Sequence, residues 1–199
     1  LIRLAPYAGA IVNGSCVPTA TSGIFIDVLK NLNNPLYPLS IPIKHLPNIL
    51  PWLLRFIWQS RSSAVFENAC HLQALSKHAV ESWKKLTENT ALNSLFRETG
   101  WLKVYESDKA FNGTKKALAL HKKVNSPFEI LNSDELRELE PNLAPIYKHG
   151  FYQSDSLSIS NPEKLVLGMV DLFIENGGQY QQFPVESINT QDDAVTLNG

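Results

Sequence analysis

Gly150-Phe151-Tyr152-Gln153, Asn161-Pro162-Glu163 and Asn176-Gly177-Gly178 fall within one short stretch, residues 150–178. The first run is rich in strand-forming residues and leads into a turn at Asp155-Ser156. Asn161 is a strong helix cap, and Pro162 suits the first helical position because its missing N–H has no partner there anyway. The helix runs to about Glu175 and stops at Asn176-Gly177-Gly178. Three strand candidates follow, over residues 180–183, 185–188 and 194–197, with Gln191-Asp192-Asp193 as the turn between the last two. Helix and short strands thus interleave without the regular alternation of a parallel sheet. The expected class is α+β, with a mixed or antiparallel sheet and packed helices.

The rest of the chain reads the same way. Residues 1–23 are loop, with a short strand near residues 10–12. Residues 24–32 suit a short helix capped by Ser22 and stopped by Asn33-Asn34-Pro35. Residues 51–59 form a helix apolar nearly all round, with Pro47 in a first turn and Pro51 at the helix start. Residues 64–87 read as one long helix capped by Ser62 or Ser63. Its apolar stripe includes Val65, Phe66, Ala69, Leu72, Val80, Trp83 and Leu86, and Gln73, Lys77 and Glu81 sit on the opposite face. Residues 100–106 alternate as a strand, Ser107-Asp108 opens a helix over 109–123, and residues 128–131 form a strand. Asn132 or Ser133 caps a brief helix over 134–139, ended by Pro141.

Bulk properties exclude several classes. An apolar fraction of 44%, aromatics at 10% and a net charge of −1 provide a core and argue against disorder. The same charge balance leaves no basic surface for nucleic acid, and Lys115, Lys116, Lys122 and Lys123 read as a solvated helix face. Cys16 and Cys70 would bridge only with Cα atoms within about 7 Å. The simpler expectation is two free thiols in a reducing compartment. No charged start precedes an apolar core, so no signal peptide is expected. The run over 41–58 is too interrupted by prolines and charges to span a bilayer, yet it suits a helix lying on a membrane surface.

No independent active site is legible. His45, His71, His78, His121 and His149 lack ligand spacing, and two histidines on one face are not a metal site. There is no nucleophile elbow and no Cys–His arrangement in the sequence.

Four segments carry a resemblance. They are Gly14-Ser15-Cys16-Val17-Pro18 with Gly23; Pro38-Leu39-Ser40-Ile41 through Leu50-Pro51-Trp52-Leu53-Leu54-Arg55-Phe56; residues 100–105 with Leu136 to Pro141; and Gly150, Asp155, Asn161-Pro162 and Gly177-Gly178. In order and separation they resemble the interior of an FAD-dependent D-amino acid dehydrogenase of the glycine/D-amino acid oxidase superfamily. The resemblance implies a flavoenzyme that oxidises D-amino acids to 2-oxo acids and ammonia, the flavin carrying the electrons. It implies three parts: residues 1–35 as the edge of a flavin domain, 36–183 as a helical insertion with a substrate-domain-like region, and 184–199 as a hairpin returning to the flavin domain.

The family's Gly-x-Gly-x-x-Gly loop is not in these residues, because Gly9, Gly14 and Gly23 are too widely spaced. Tyr7-Ala8-Gly9 stands where the family often has Asn-Ala-Gly. On the resemblance, Tyr7, Ala8, Gly9, Ala10, Gly14 and Ser15 are the candidate cofactor-side residues, and Arg55, Tyr105, Tyr152 and Ser156 are the candidate substrate-side residues. The simpler readings are a frayed terminus and turn for the first set, and sheet packing or a solvated charge for the second. The expectation is a fragment that binds no FAD alone, cytoplasmic or on the inner face of a membrane, covering exposed apolar surface by self-association or with a missing flavin domain. The alternative is a non-enzymatic interaction or membrane-surface module built on residues 42–59.

Overall fold

The computed structural model describes residues 9–21, 45–181, 184–191 and 194–198. The expected helix over 24–32 and its cap Ser22, Tyr7, Ala8, Gly23, Pro38 to Ile41 and the Asp192-Asp193 turn lie outside the described residues. Two compact units are present: one is Ala8–Ser160, and the other joins Leu1–Tyr7 with Asn161–Gly199.

The larger unit holds two antiparallel sheets. In the first, β1 (Ala10–Val12) and β2 (Phe96–Arg97) flank β6 (Ser156–Ile159). Ile11 pairs with Leu157, and both are buried. In the second, β3 (Trp101–Tyr105) and β4 (Glu129–Asn132) flank β5 (His149–Gln153). Ser154-Asp155 carry the chain from β5 into β6, and the two strands pair antiparallel with β3 and β2 in turn, so the chain runs on from the centre of one sheet to the centre of the other.

The second sheet is covered on both faces. Its α6 (Ser133–Leu139) places Leu136 against Gly150, where a Cβ would come within 2.7 Å of the leucine. Asn132 caps α6 through the amides of Asp134 and Glu135, and the Glu135 carboxylate returns to the Asn132 N–H, a complete capping box. On the opposite face Phe151 stacks on Phe128 at 5.2 Å and meets the ring of His121 at 5.0 Å. His121 comes from α5 (Lys115–Lys123), whose Leu120 packs on Val65 and Ala69 of α2 (Ser62–Ser76). The short helix α4 (Asp108–Asn112) precedes α5 and is capped by Ser107.

Several helices differ from expectation. The long helix over 64–87 is two helices, α2 and α3 (Ala79–Thr87), separated at Lys77-His78. The break lets Asn13 engage both sides: its carbonyl accepts from Ser76 Oγ at 2.8 Å, and its Oδ1 accepts from the Val80 N–H at 2.9 Å. Neither Ser62 nor Ser63 caps α2. Arg61 is the N-cap residue and makes no side-chain cap bond. Gln73, expected on the solvated face, is buried, while Phe66, Leu72, Leu75 and Leu86 are exposed. The helix over 109–123 breaks into α4 and α5 at Gly113-Thr114. Finally, α1 runs Leu46–Gln59, so Pro51 lies inside it rather than at its start. Because Pro47 occupies the first turn, Pro51 removes only one ladder bond near the helix beginning.

In the smaller unit, Asn161 accepts from the Lys164 N–H and caps α7 (Pro162–Glu175). Gly177, at φ 88°, ends it: its N–H bonds Ile174 and that of Gly178 bonds Phe173. This is the Schellman pattern, in which the left-handed residue is cheapest as glycine. Tyr180 and Gln181 are not strand. The strands β7 (Ser187–Gln191) and β8 (Ala194–Asn198) pair antiparallel, with Ile188 opposite Leu197.

Candidate functional site

Five residues separate Gly9 from Ser15, and the fold spends most of them on anchoring. The Gly9 carbonyl accepts from the Ile159 N–H, and Ala10 pairs with Ser158. Asn13 turns the chain, and its Nδ2 reaches Asp155 Oδ2 at 3.4 Å. Gly14 is buried against Gln153 and Ser126. The Ser15 and Cys16 N–H groups bond back to Val12 and Gly14, and the Ser15 side chain faces solvent.

Behind this loop lies a buried polar layer. Cys16 Sγ is 3.3 Å from His121 Nδ1, which is 3.1 Å from Ser126 Oγ. Gln153 Nε2 donates to the Pro127 carbonyl at 3.3 Å and lies 3.5 Å from Ser126 Oγ. No Cys–His arrangement was visible in the sequence; the fold makes one from residues 105 positions apart. Burial, and then the charge of Lys103, push the His121 imidazole below its ordinary value. Burial pushes the Cys16 thiol up. Both effects favour the uncharged forms, the opposite of what activates a thiol as a nucleophile. It braces the loop against α5.

The candidate substrate-side residues do not converge. Tyr105 pairs with His149, on the face of β5 that carries Phe151. Tyr152 points to the other face, because successive residues of a strand alternate. The Tyr105 ring meets Phe111 edge-on at 5.6 Å, and burial raises its hydroxyl. His149 stacks on Phe111 and bonds Asp108 at 2.7 Å, and that bond holds the Asp108 carboxyl below the usual range. Tyr152 lies over Gly100, whose φ of 67° and lack of a Cβ the ring requires, and donates to the Thr99 carbonyl at 3.3 Å. Ser156 is buried, with an Oγ that bonds no described group. Arg55 is exposed on α1.

Of all these, Gly14 and Ser156 flank the Asn13–Asp155 contact, while Tyr105, Tyr152 and Arg55 belong elsewhere. Sequence reasoning missed Asn13, Gln73, His121 and Gln153. Only their polar character amid apolar runs signalled them. Among the described residues, no three His, Cys, Asp or Glu side chains are grouped to hold a metal ion.

Residues 30–199 match the family described as FAD dependent oxidoreductase, DAO. A D-amino-acid oxidase of Bradyrhizobium diazoefficiens (strain JCM 10833 / BCRC 13528 / IAM 13628 / NBRC 14792 / USDA 110) is 30% identical over 173 residues, which are 86% of this chain and 41% of that protein. The chain therefore spans about two fifths of that relative's length. Among solved structures, glycine oxidase from Geobacillus kaustophilus superposes with a TM-score of 0.50 at 19% identity, over 63% of this chain and 35% of that one. Glycine oxidase from Bacillus cereus ATCC 14579 gives 0.49 at 20% identity, over 63% and 36%. The likeness to the Geobacillus kaustophilus structure is one of fold, a mixed α+β arrangement of antiparallel sheets and packed helices. On the match over residues 30–199, the chain belongs to the DAO family of FAD-dependent oxidoreductases.

Proposed function

We propose that this chain is the substrate-domain-like part of an FAD-dependent D-amino acid dehydrogenase, which oxidises D-amino acids to 2-oxo acids and ammonia. The observation supporting the reading is the antiparallel β3–β5–β4 sheet with its packed helices, all of it within residues 30–199, the region matched to the family. FAD, when bound in such an enzyme, accepts the electrons.

The described residues do not fit the cofactor's pyrophosphate. A phosphate cradle needs open glycines and free N–H groups at a helix start. Gly14 is instead filled against by Gln153, and the Ser15 and Cys16 N–H groups are spent inside the loop. The polypeptide alone should then retain no flavin after mixing with FAD and desalting. An absorbance spectrum with stoichiometric, protein-shifted flavin bands would overturn this. The dehydrogenase reading has its own test: mixed with the separately folded flavin-binding part of a family member, the chain should restore D-amino-acid-dependent dye reduction. No restoration with any D-amino acid, while both pieces are folded, would remove it.

A second reading is favoured by α1. Trp52 is 53% exposed and Trp58 61%, beside exposed Leu50 and Leu54. The Arg61 guanidinium lies 3.5 Å over the Trp58 ring. Amphipathic aromatic rings beside cations suit a membrane interface. No helix among the described residues is long and apolar enough to cross a membrane, so the contact would be peripheral. The expected result is co-sedimentation with anionic vesicles, lost in Trp52→Ser/Trp58→Ser. Equal sedimentation of that variant would exclude α1 as the contact.

A further inference from the structure

We infer that His121 is an acid-sensitive latch: its neutral ring holds residues 15–20 against α5, and its protonation releases them. The segment depends on this contact. Among the described residues, the N–H groups of Ser15, Cys16 and Thr21 bond to Val12, Gly14 and Thr19, so these bonds stay within residues 12–21. The hold on the rest of the unit is Cys16 Sγ, 3.3 Å from His121 Nδ1, together with Val17 packed against Val65, Ala69 and Leu120. Asn13 anchors the stretch before it separately, on Ser76, Val80 and Asp155.

The surroundings of His121 suit a neutral ring and oppose a charged one. The residue is 6% exposed, with the Phe151 ring at 5.0 Å and that of Phe128 at 5.6 Å. Its hydrogen-bonding neighbours are a thiol and a hydroxyl, those of Cys16 and Ser126. No carboxylate pairs with it among the described residues. The charged group that faces it from β3 is a cation. Lys103 pairs with Phe151 across the strands, so both side chains leave the same face of the sheet, and Lys103 Nζ lies 4.4 Å over the Trp101 ring. Further along that face, Tyr105 and His149 are turned to Phe111 and Asp108 of α4. On α5 itself Lys122 and Lys123 are exposed. Burial pushes the Cys16 thiol up, away from the thiolate that would serve as counter-ion. Whichever nitrogen carries the proton of the neutral ring, a second proton places an unpaired charge in this layer. Burial, and then Lys103, already hold the imidazole below its ordinary value.

Above about pH 6.5, the ordinary imidazole value, the ring is neutral whether the segment is held or released, and the latch holds in full. Below it the released state takes up the proton first. The segment then loses its hold by up to about tenfold per pH unit, until the held state protonates as well. The latch is independent of the proposed activity, and its test uses the chain without flavin. A Cys70→Ser background leaves Cys16 as the remaining thiol. Its labelling by dithiodipyridine is followed from neutral pH to about pH 5, relative to glutathione at the same pH, with far-UV circular dichroism reporting the fold. The expected result is protection at neutral pH and a rise of roughly tenfold on acidification, with unchanged ellipticity. His121→Gln abolishes the rise. Lys103→Gln, at an exposed position, makes it shallower, because the held ring then protonates more easily, and it carries the test if His121→Gln does not fold. His149→Gln keeps the full rise. A flat profile in the parent, a rise that persists in folded His121→Gln or is unaltered in Lys103→Gln, or ellipticity lost in step with labelling would each overturn the latch. Loss of the rise in His149→Gln would overturn it too, by placing the acid sensitivity at Asp108.

Discussion

Leu136→Ala destabilises the larger unit by about 2–5 kcal/mol, the usual cost of emptying a leucine-sized space in a packed core. Leu136 is only 1% exposed, although it sits on the short helix α6. It stands over the one glycine of β5, and Leu102 and Leu131 crowd the same spot within 3.3 Å of where a Gly150 Cβ would be. Leucine and glycine are therefore complementary: the strand gives up a side chain so that the helix can approach. Leu139 on the same helix, 38% exposed, is the control. Urea unfolding of both variants checks the argument. Equal losses from Leu136→Ala and Leu139→Ala would show that helix propensity, rather than this seat, sets the effect.

Gly14→Ala is the second large effect, at about 1–3 kcal/mol from overpacking. The new methyl would overlap the Gln153 amide and lie 2.6 Å from Ser126 Oγ. Gln153 is 1% exposed and cannot swing away without abandoning the Pro127 carbonyl. Its neighbour Ser126, and the His121 that Ser126 meets, are buried too, so the disturbance reaches α5. Removing the obstruction should recover part of the loss, so the double variant Gly14→Ala/Gln153→Ala is expected to be more stable than the sum of the singles. Thermal melts of the four proteins measure this. Strictly additive losses would mean that Gly14 and Gln153 do not compete for the same space.

These two sites mark what could be read from residues alone. Local signals with a short-range cause were legible. Asn132 with Glu135 forms its capping box, Asn161-Pro162 opens α7, Gly177 closes it, and Ser107 caps α4. Each is a hydrogen bond or a backbone preference within a few residues, so the sequence contains all of its participants. The α+β class followed from the same signals. The strand Ser156–Ile159 was missed even though Leu157 and Ile159 alternate with serines. Its identity as a strand depends on β1, some 145 positions earlier, and on β2, which supply its ladder bonds. The break at Lys77-His78 was hidden for the same reason, since Asn13 rewards it from 63 residues away.

The candidate site shows the same division. Glycine spacing alone established that the described loop lacks the Gly-x-Gly-x-x-Gly cradle, and segment order alone pointed to the flavoenzyme family. Tertiary structure decided what Gly14 is for, that Cys16 and His121 meet, that Tyr105 and Tyr152 lie on opposite faces of one sheet, and that Gln73 and Asp155 line one cleft. The physical reason is that burial and side-chain pairing are properties of distant segments brought together. Caps and turns are settled within a few bonds of the residues that make them.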